Sequence, residues 1–401
     1  MPKEIQLGLR QNWKQFTLLV IVNAFVGGMV GMERSIFPKL AETAFGLTSP
    51  SIITSFIVVF GFTKAIFNYI SGKLSAKIGR KKVLVLGWIF AIPIPFLIIH
   101  APTFGWVVFA NFLLGINQGL AWSSTVTMKI DLVGEKQRGF AMGLNEFAGY
   151  ISVALVAMLT GFIANKYGIR PYSFYIGIVL SIAGILVSVF LIQDTQRFVN
   201  KECEGSATKR LGNVFLETTW TNHQLGATTQ AGLVNNLNDG MFWGIIPMLL
   251  AQQHFQLSDI GMIVGVYPAV WGFAQLITGK MADLYSKKWL MFFGMLIQAI
   301  VLFCMLEFHS LSIWMVGSAL LGIGTALVYP TFLANIAENT HPADRAEALG
   351  VFRFWRDSGY AIGAILSGLI AGFFGLKAVI FTIAALTLFS AFVIIFKLKS
   401  K

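Results

Sequence analysis

Charge is scarce in this 401-residue chain: Asp, Glu, Lys and Arg make up 12% of it, where soluble domains carry about a quarter. With 56% of residues hydrophobic, the solvent this composition expects is lipid. Cysteine is almost missing. Cys203 and Cys304 lie far apart in dissimilar surroundings, so a disulfide scaffold is excluded and both are expected to be free thiols. Eleven prolines and 40 glycines without a period exclude a collagen-like chain, and the apolar content excludes disorder. The five histidines, His100, His223, His254, His309 and His341, fall in loops or at span ends, with no spacing for a metal site or a catalytic triad. No P-loop is present, so ATP is not the expected energy source. No catalytic residue, metal or cofactor is therefore expected. The net charge of +12 comes from basic residues dispersed between apolar runs, which fits a membrane protein rather than a nucleic-acid binder.

Twelve stretches approach or exceed the roughly 20 apolar residues that a spanning helix needs. They cover 14–40, 51–71, 83–100, 105–128, 138–165, 172–193, 226–252, 258–279, 288–307, 311–336, 345–373 and 377–396. The start, MPKEIQLGLRQNWKQ, is polar and leads into a full-length span with no small-residue cleavage site, so the first helix is expected to stay. Orientation follows from the loops. With the amino terminus inside, 22 of the 30 Lys and Arg fall on cytoplasmic segments and five on the outside, namely Arg34, Lys39, Lys166, Arg170 and Lys377. The remaining three, Lys64, Arg353 and Arg356, fall inside spans, where charge is costly. One long polar link, 196–225, divides the chain into an amino-terminal six-helix bundle at 1–195 and a carboxy-terminal one at 226–401.

The halves repeat. At an offset of 207, Gly72 falls on Gly279, Lys73 on Lys280 and Lys81 on Lys288, while Leu114-Gly115-Ile116 falls on Leu321-Gly322-Ile323. Arg138, Ala141 and Gly143 fall on Arg345, Ala348 and Gly350. Charged and glycine matches at a single offset are hard to obtain by accident in apolar sequence. The expectation is an all-α membrane protein of two pseudo-symmetric six-helix bundles, the architecture of a rocker-type secondary transporter.

Between the second and third spans, Gly72-Lys73-Leu74-Ser75-Ala76-Lys77-Ile78-Gly79-Arg80-Lys81-Lys82 resembles the loop motif G-x-x-x-D-[RK]-x-G-R-[RK] of the major facilitator superfamily. A degenerate second copy runs from Gly279 through Asp283 to Lys288, and the resemblance covers the whole chain. The stretch from Leu113 to Tyr150 is also similar to a subgroup of bacterial permeases partly associated with magnetosome membranes, which fixes no substrate. One departure is Ala76, where the family has an acid; the second copy keeps it as Asp283. In the family that carboxylate supports the inward-closed arrangement, so the resemblance implies a weaker latch on one side.

The resemblance also implies that helices 1, 4, 7 and 10 line a central cavity for a small-molecule or ion substrate. On helix 4, Asn111, Gly115, Gln118, Trp122 and Lys129 fall near one line at about 100° per residue, a wet face on an apolar helix. Asn111 stands where proton-coupled exporters of the family often have Arg. Interhelical hydrogen bonding explains Asn111 equally well. Under the repeat, Gln118 maps to Thr325 and Trp122 to Tyr329, and two such aromatics suit a clamp for a flat solute or simple packing. Helix 7 has Asn235, Asn238 and Asp239 before Gly240, with Asn235 and Asp239 on one face. A buried carboxylate there is a candidate proton or cation site, unless it lies in a hydrated mouth. Asn23 and Arg34 share a face of helix 1, and Glu33 and Arg34 also read as a solvated rim pair.

The remaining charges within spans are Lys64, Glu146, Arg353, Arg356 and Asp357, candidates for coupling or gating. Lys64 and Glu146 each lie about 12 Å inside by helical rise. The plainer alternative is that Arg353 and Asp357, four apart, neutralise each other. The leading expectation is a monomeric, proton-coupled exporter in the bacterial plasma membrane with both termini cytoplasmic. A receptor or assembly factor that kept the fold, and an uncoupled facilitator, are the alternatives.

Overall fold

A computed structural model describes residues 5–34, 36–47, 55–307 and 309–399. Among these residues the regular structure is helical. We number the long helices α1 (Trp13–Arg34), α2 (Ser55–Ile78), α3 (Arg80–Ile99), α4 (Phe104–Val133), α5 (Arg138–Tyr167), α6 (Tyr175–Phe190), α7 (His223–Gln252), α8 (Leu257–Leu284), α9 (Lys287–Met305), α10 (Leu311–Glu338), α11 (Arg345–Phe374) and α12 (Leu376–Lys397). Eleven of them are long and apolar enough to cross a membrane. The twelfth, α7, has 30 residues, but its Thr, Gln and Asn content makes it less apolar than the rest.

The expected boundaries move in a few places. The first span ends at Arg34 rather than 40, and Phe37–Phe45 forms a separate helix closed by Gly46 in the left-handed conformation at φ 64°. Within α3 the helix is re-set at Pro93, whose missing N–H cannot continue the ladder. Inside α4, Gln118–Trp122 forms a π-helical turn. The polar link is largely helical: Gln196–Glu204 is a helix, Val214–Leu216 and Glu217–Thr221 form further turns, and Asn222 caps α7 by accepting from the N–H groups of Gln224 and Leu225.

The chain forms two compact units. The first comprises Met1–Gly134, Asn145–Ala207 and Pro342–Gly350; the second comprises Glu135–Leu144, Thr208–His341 and Val351–Lys401. Each unit thus includes the first turns of one helix whose remainder belongs to the other. In the first unit the start of α11 packs on α2: a Cβ on Gly72 would strike the carbonyl of Ala346, and one on Gly350 the carbonyl of Asn68. In the second unit the start of α5 packs on α8, where Gly279 meets the Gly139 carbonyl and Gly143 the Gln275 carbonyl. All four contacts are related by the offset of 207. Glycine suits each of these positions because any side chain would force the touching backbones of the two helices away from each other.

Candidate functional site

In the first unit, polar groups converge on the middle of α4. Trp122 donates its indole N–H to Glu146 Oε1 at 3.1 Å, and Asn145 Nδ2 donates to the same oxygen at 2.7 Å. Asn145 also accepts from Lys129, which is fully buried, so one amide bridges an ammonium and a carboxylate. Asn23 on α1 donates to the Asn145 carbonyl at 2.8 Å and accepts from Thr125 at 2.9 Å. Lys64 on α2 lies over the Trp122 ring, 5.5 Å from its centroid. Gln118 donates to the Val26 carbonyl of α1 at 2.7 Å, whereas Asn111 turns back to Val107 of its own helix at 3.1 Å. The single wet line expected on α4 is therefore not continuous. A π turn has about 4.4 residues, so the face at Asn111 and the face at Lys129 are out of register with a uniform 100° projection.

The second unit builds its cluster from α7, α8, α10 and α11. Asp239 is buried and accepts from the Tyr267 hydroxyl, and Tyr267 shares a 3.1 Å hydrogen bond with Thr325. Tyr329 carries the Arg356 guanidinium over its ring, 4.0 Å from the centroid, and Arg356 pairs with Asp357 at 2.8 Å. The repeat mates Trp122 and Tyr329 are thus each covered by a basic side chain of their own unit. Asn238 donates to Gln298 at 2.8 Å and accepts from Thr387 at 2.9 Å, which commits it to packing among α7, α9 and α12. Asn235 is buried, and among the described residues neither of its side-chain polar atoms is hydrogen-bonded. The expected neutralisation of Arg353 by Asp357 is not found: Asp357 takes Arg356, the neighbour whose guanidinium Tyr329 already holds in place.

A third group closes the α2–α3 end of the first unit. Gly79 takes φ 93°, open to glycine alone at low cost, and so lets the motif turn directly into α3. Asp194 accepts from the Lys81 N–H at 2.9 Å. Arg80 and Arg345 flank the fully buried Asp131 at 3.4 and 3.7 Å. Thr195 donates to Asp131 at 2.8 Å, and Glu202 of the link helix binds Arg345 through two hydrogen bonds of 2.7 and 2.8 Å. At the offset of 207, Lys287–Glu338 at 2.8 Å repeats Arg80–Asp131 in the second unit. There Asp283 receives the N–H groups of Gly139 and Phe140 at 2.6 and 2.8 Å, a carboxylate on the positive end of α5. Ala76 offers nothing equivalent to α11; Lys73 instead approaches Glu347 at 3.9 Å. Lys77 is exposed beside this turn, and the side chain of Arg34 lies outside the described residues.

The family model for the Major Facilitator Superfamily matches residues 18–219 and 230–401. The chain belongs to this superfamily. Among curated relatives of this superfamily member, the proton-coupled antiporter flippase LtaA of Staphylococcus saprophyticus is 26% identical over 376 residues, covering 90% of this chain and 88% of that protein. The multidrug resistance protein MdtG of Proteus mirabilis is 25% identical over 399 residues, covering 94% of each. Among solved structures, the human organic anion transporter MFSD10 superposes with a TM-score of 0.77 at 15% identity, covering 96% of this chain and 99% of that one. The proton:xylose symporter XylE superposes at 0.76 and 13% identity. The protein is thus an integral plasma-membrane transporter with the superfamily fold, as its motif and repeat imply.

Of the superfamily member's polar residues, sequence reasoning singled out Glu146, Trp122 and Asp239 but missed Asn145, Tyr267, Asp131, Glu202, Lys287 and Glu338. The offset of 207 already aligned Arg80 with Lys287 and Asp131 with Glu338, a signal that was available.

Proposed function

We propose that the protein is a proton-coupled secondary transporter that exports a small solute by alternating access, with both termini and the 196–225 link cytoplasmic. The observation that carries this reading is Asp239. It is a buried carboxylate on α7 whose hydrogen-bond partner is the neutral Tyr267 hydroxyl, and no basic group lies within 4.0 Å of it among the described residues. A buried carboxylate so placed binds and releases a proton without breaking an ion pair. Tyr267 and Thr325 tie it to α8 and α10, so a proton gained or lost there bears on three helices. Relatives described as a proton-coupled antiporter flippase and a multidrug resistance protein support coupling and export. Each unit offers its own candidates: Gln118 and Trp122 for solute with Lys64 and Glu146 for coupling in the first, and Asn235, Thr325 and Tyr329 for solute with Arg356 and Asp357 for coupling in the second.

The test is transport in proteoliposomes containing a pH-sensitive dye, challenged with a panel of amphipathic dyes and glycolipids. The wild type should couple solute movement to proton movement. Asp239→Asn should abolish gradient-driven accumulation while leaving exchange without a gradient. Normal accumulation by Asp239→Asn at every pH removes the carboxylate from coupling.

A further inference from the structure

We propose that the buried guanidinium of Arg353 is the binding point for an oxyanionic group, a carboxylate or phosphoryl, on the transported solute. Arg353 is 1% exposed, and its Nε and Nη1 make no hydrogen bond among the described residues. Arg353 stands on α11 where that helix runs beside α7 within the second unit: a Cβ on Gly359 would strike the Leu233 carbonyl, and one on Gly363 the Leu237 carbonyl. A buried guanidinium normally has a carboxylate, since an uncompensated charge away from water is strongly destabilising.

The carboxylates at hand are committed elsewhere. Asp357, one helical turn along, pairs with Arg356 at 2.8 Å, and Arg356 is further fixed over Tyr329. Asp239 is held by Tyr267. The repeat supplies an independent comparison. At the offset of 207 Arg353 takes the place of Glu146, whose Oε1 has two donors, Trp122 and Asn145, in its own unit. The second unit keeps a charge at that position, reverses its sign and, among the described residues, leaves its Nε and Nη1 without a hydrogen bond. A planar fork of N–H donors matches a bidentate oxyanion.

The proposal rests on the transporter reading only in taking the anion to be cargo, and its test reads binding alone. Purified full-length protein in detergent is melted with inorganic phosphate, benzoate or dihexanoyl phosphatidic acid, against sodium chloride and dihexanoyl phosphatidylcholine at matched ionic strength. At least one of the three anions should raise the melting temperature saturably by several degrees. A response to phosphate or benzoate points to a free solute, and a response to the phosphatidic acid alone points to a lipid headgroup. Arg353→Met should melt higher than the wild type without anion, because it removes an unsatisfied buried charge, and should lose the anion response. Arg353→Lys should retain some of it, and Glu338→Gln, at the partly exposed pair with Lys287, should retain it fully. If the wild type responds to none of the anions, or if Arg353→Met melts lower and responds as the wild type does, the site does not exist. Anion binding that depends on Arg353 in a protein that moves no solute would leave the site standing and remove the transporter reading.

Discussion

Trp122 holds Glu146 by a 3.1 Å hydrogen bond from its indole nitrogen, and through Asn145 the same carboxylate is joined to the buried Lys129. The two charges lie on α4 and α5 and compensate each other without touching, since the amide of Asn145 turns its oxygen to one and its nitrogen to the other.

Removing one of them should therefore be worse than removing both. Glu146→Leu leaves Lys129 uncompensated and is expected to cost about 3–5 kcal/mol, while adding Lys129→Met should restore some of the loss. Thermal unfolding of the two single variants and the double variant measures the coupling. Simple additivity would mean that the two residues act separately.

The repeated pairs Arg80–Asp131 and Lys287–Glu338 have the same ancestry in sequence and different surroundings. The side chains of the first are 2% and 0% exposed, and those of the second 23% and 29%. Asp131→Asn strips two arginines of a shared buried partner and should lower stability by roughly 3 kcal/mol or more. Glu338→Gln should cost under about 1 kcal/mol, as partly hydrated pairs do. Comparing melting temperatures of the two variants checks the difference.

Ala76 leaves the start of α11 without the carboxylate that Asp283 gives to the start of α5. Ala76→Asp should supply it, and the state in which α2 and α11 are packed should gain about 0.5–2 kcal/mol. The expected readout is a higher melting temperature with slower transport. Asp283→Ala should do the reverse, and a faster Ala76→Asp transporter would contradict the latch.

Orientation is open to a direct chemical test. Gly205 ends the link helix and is surface-accessible. With Cys203 and Cys304 replaced by Ser, Gly205→Cys should react with a membrane-impermeant maleimide only after cells are permeabilised. Labelling in intact cells would invert the proposed topology.

The fold was legible because its signals are local or periodic. Apolar runs mark the helices, basic residues mark the loops, and the offset of 207 pairs glycines that the structure places in matching helix contacts, as with Gly72 against Ala346 and Gly279 against Gly139. Helix ends were less legible. The first helix ends at Arg34, short of the expected 40, and the π turn at Gln118–Trp122 interrupts a run whose composition does not change.

The sequence by itself determined that this chain spans a membrane, that it is a duplicated six-helix unit and which charges must be accommodated inside it. Those properties follow from transfer free energies and repetition, which are carried residue by residue. Only the tertiary structure decided which charge meets which partner. Arg353 and Asp357 have ideal i, i+4 spacing, yet Asp357 binds Arg356, because Tyr329 of another helix fixes that guanidinium beside it. Side-chain pairing in a bundle is set by the three or four helices around each site, and the strongest local match yields when a neighbour holds a competitor in place.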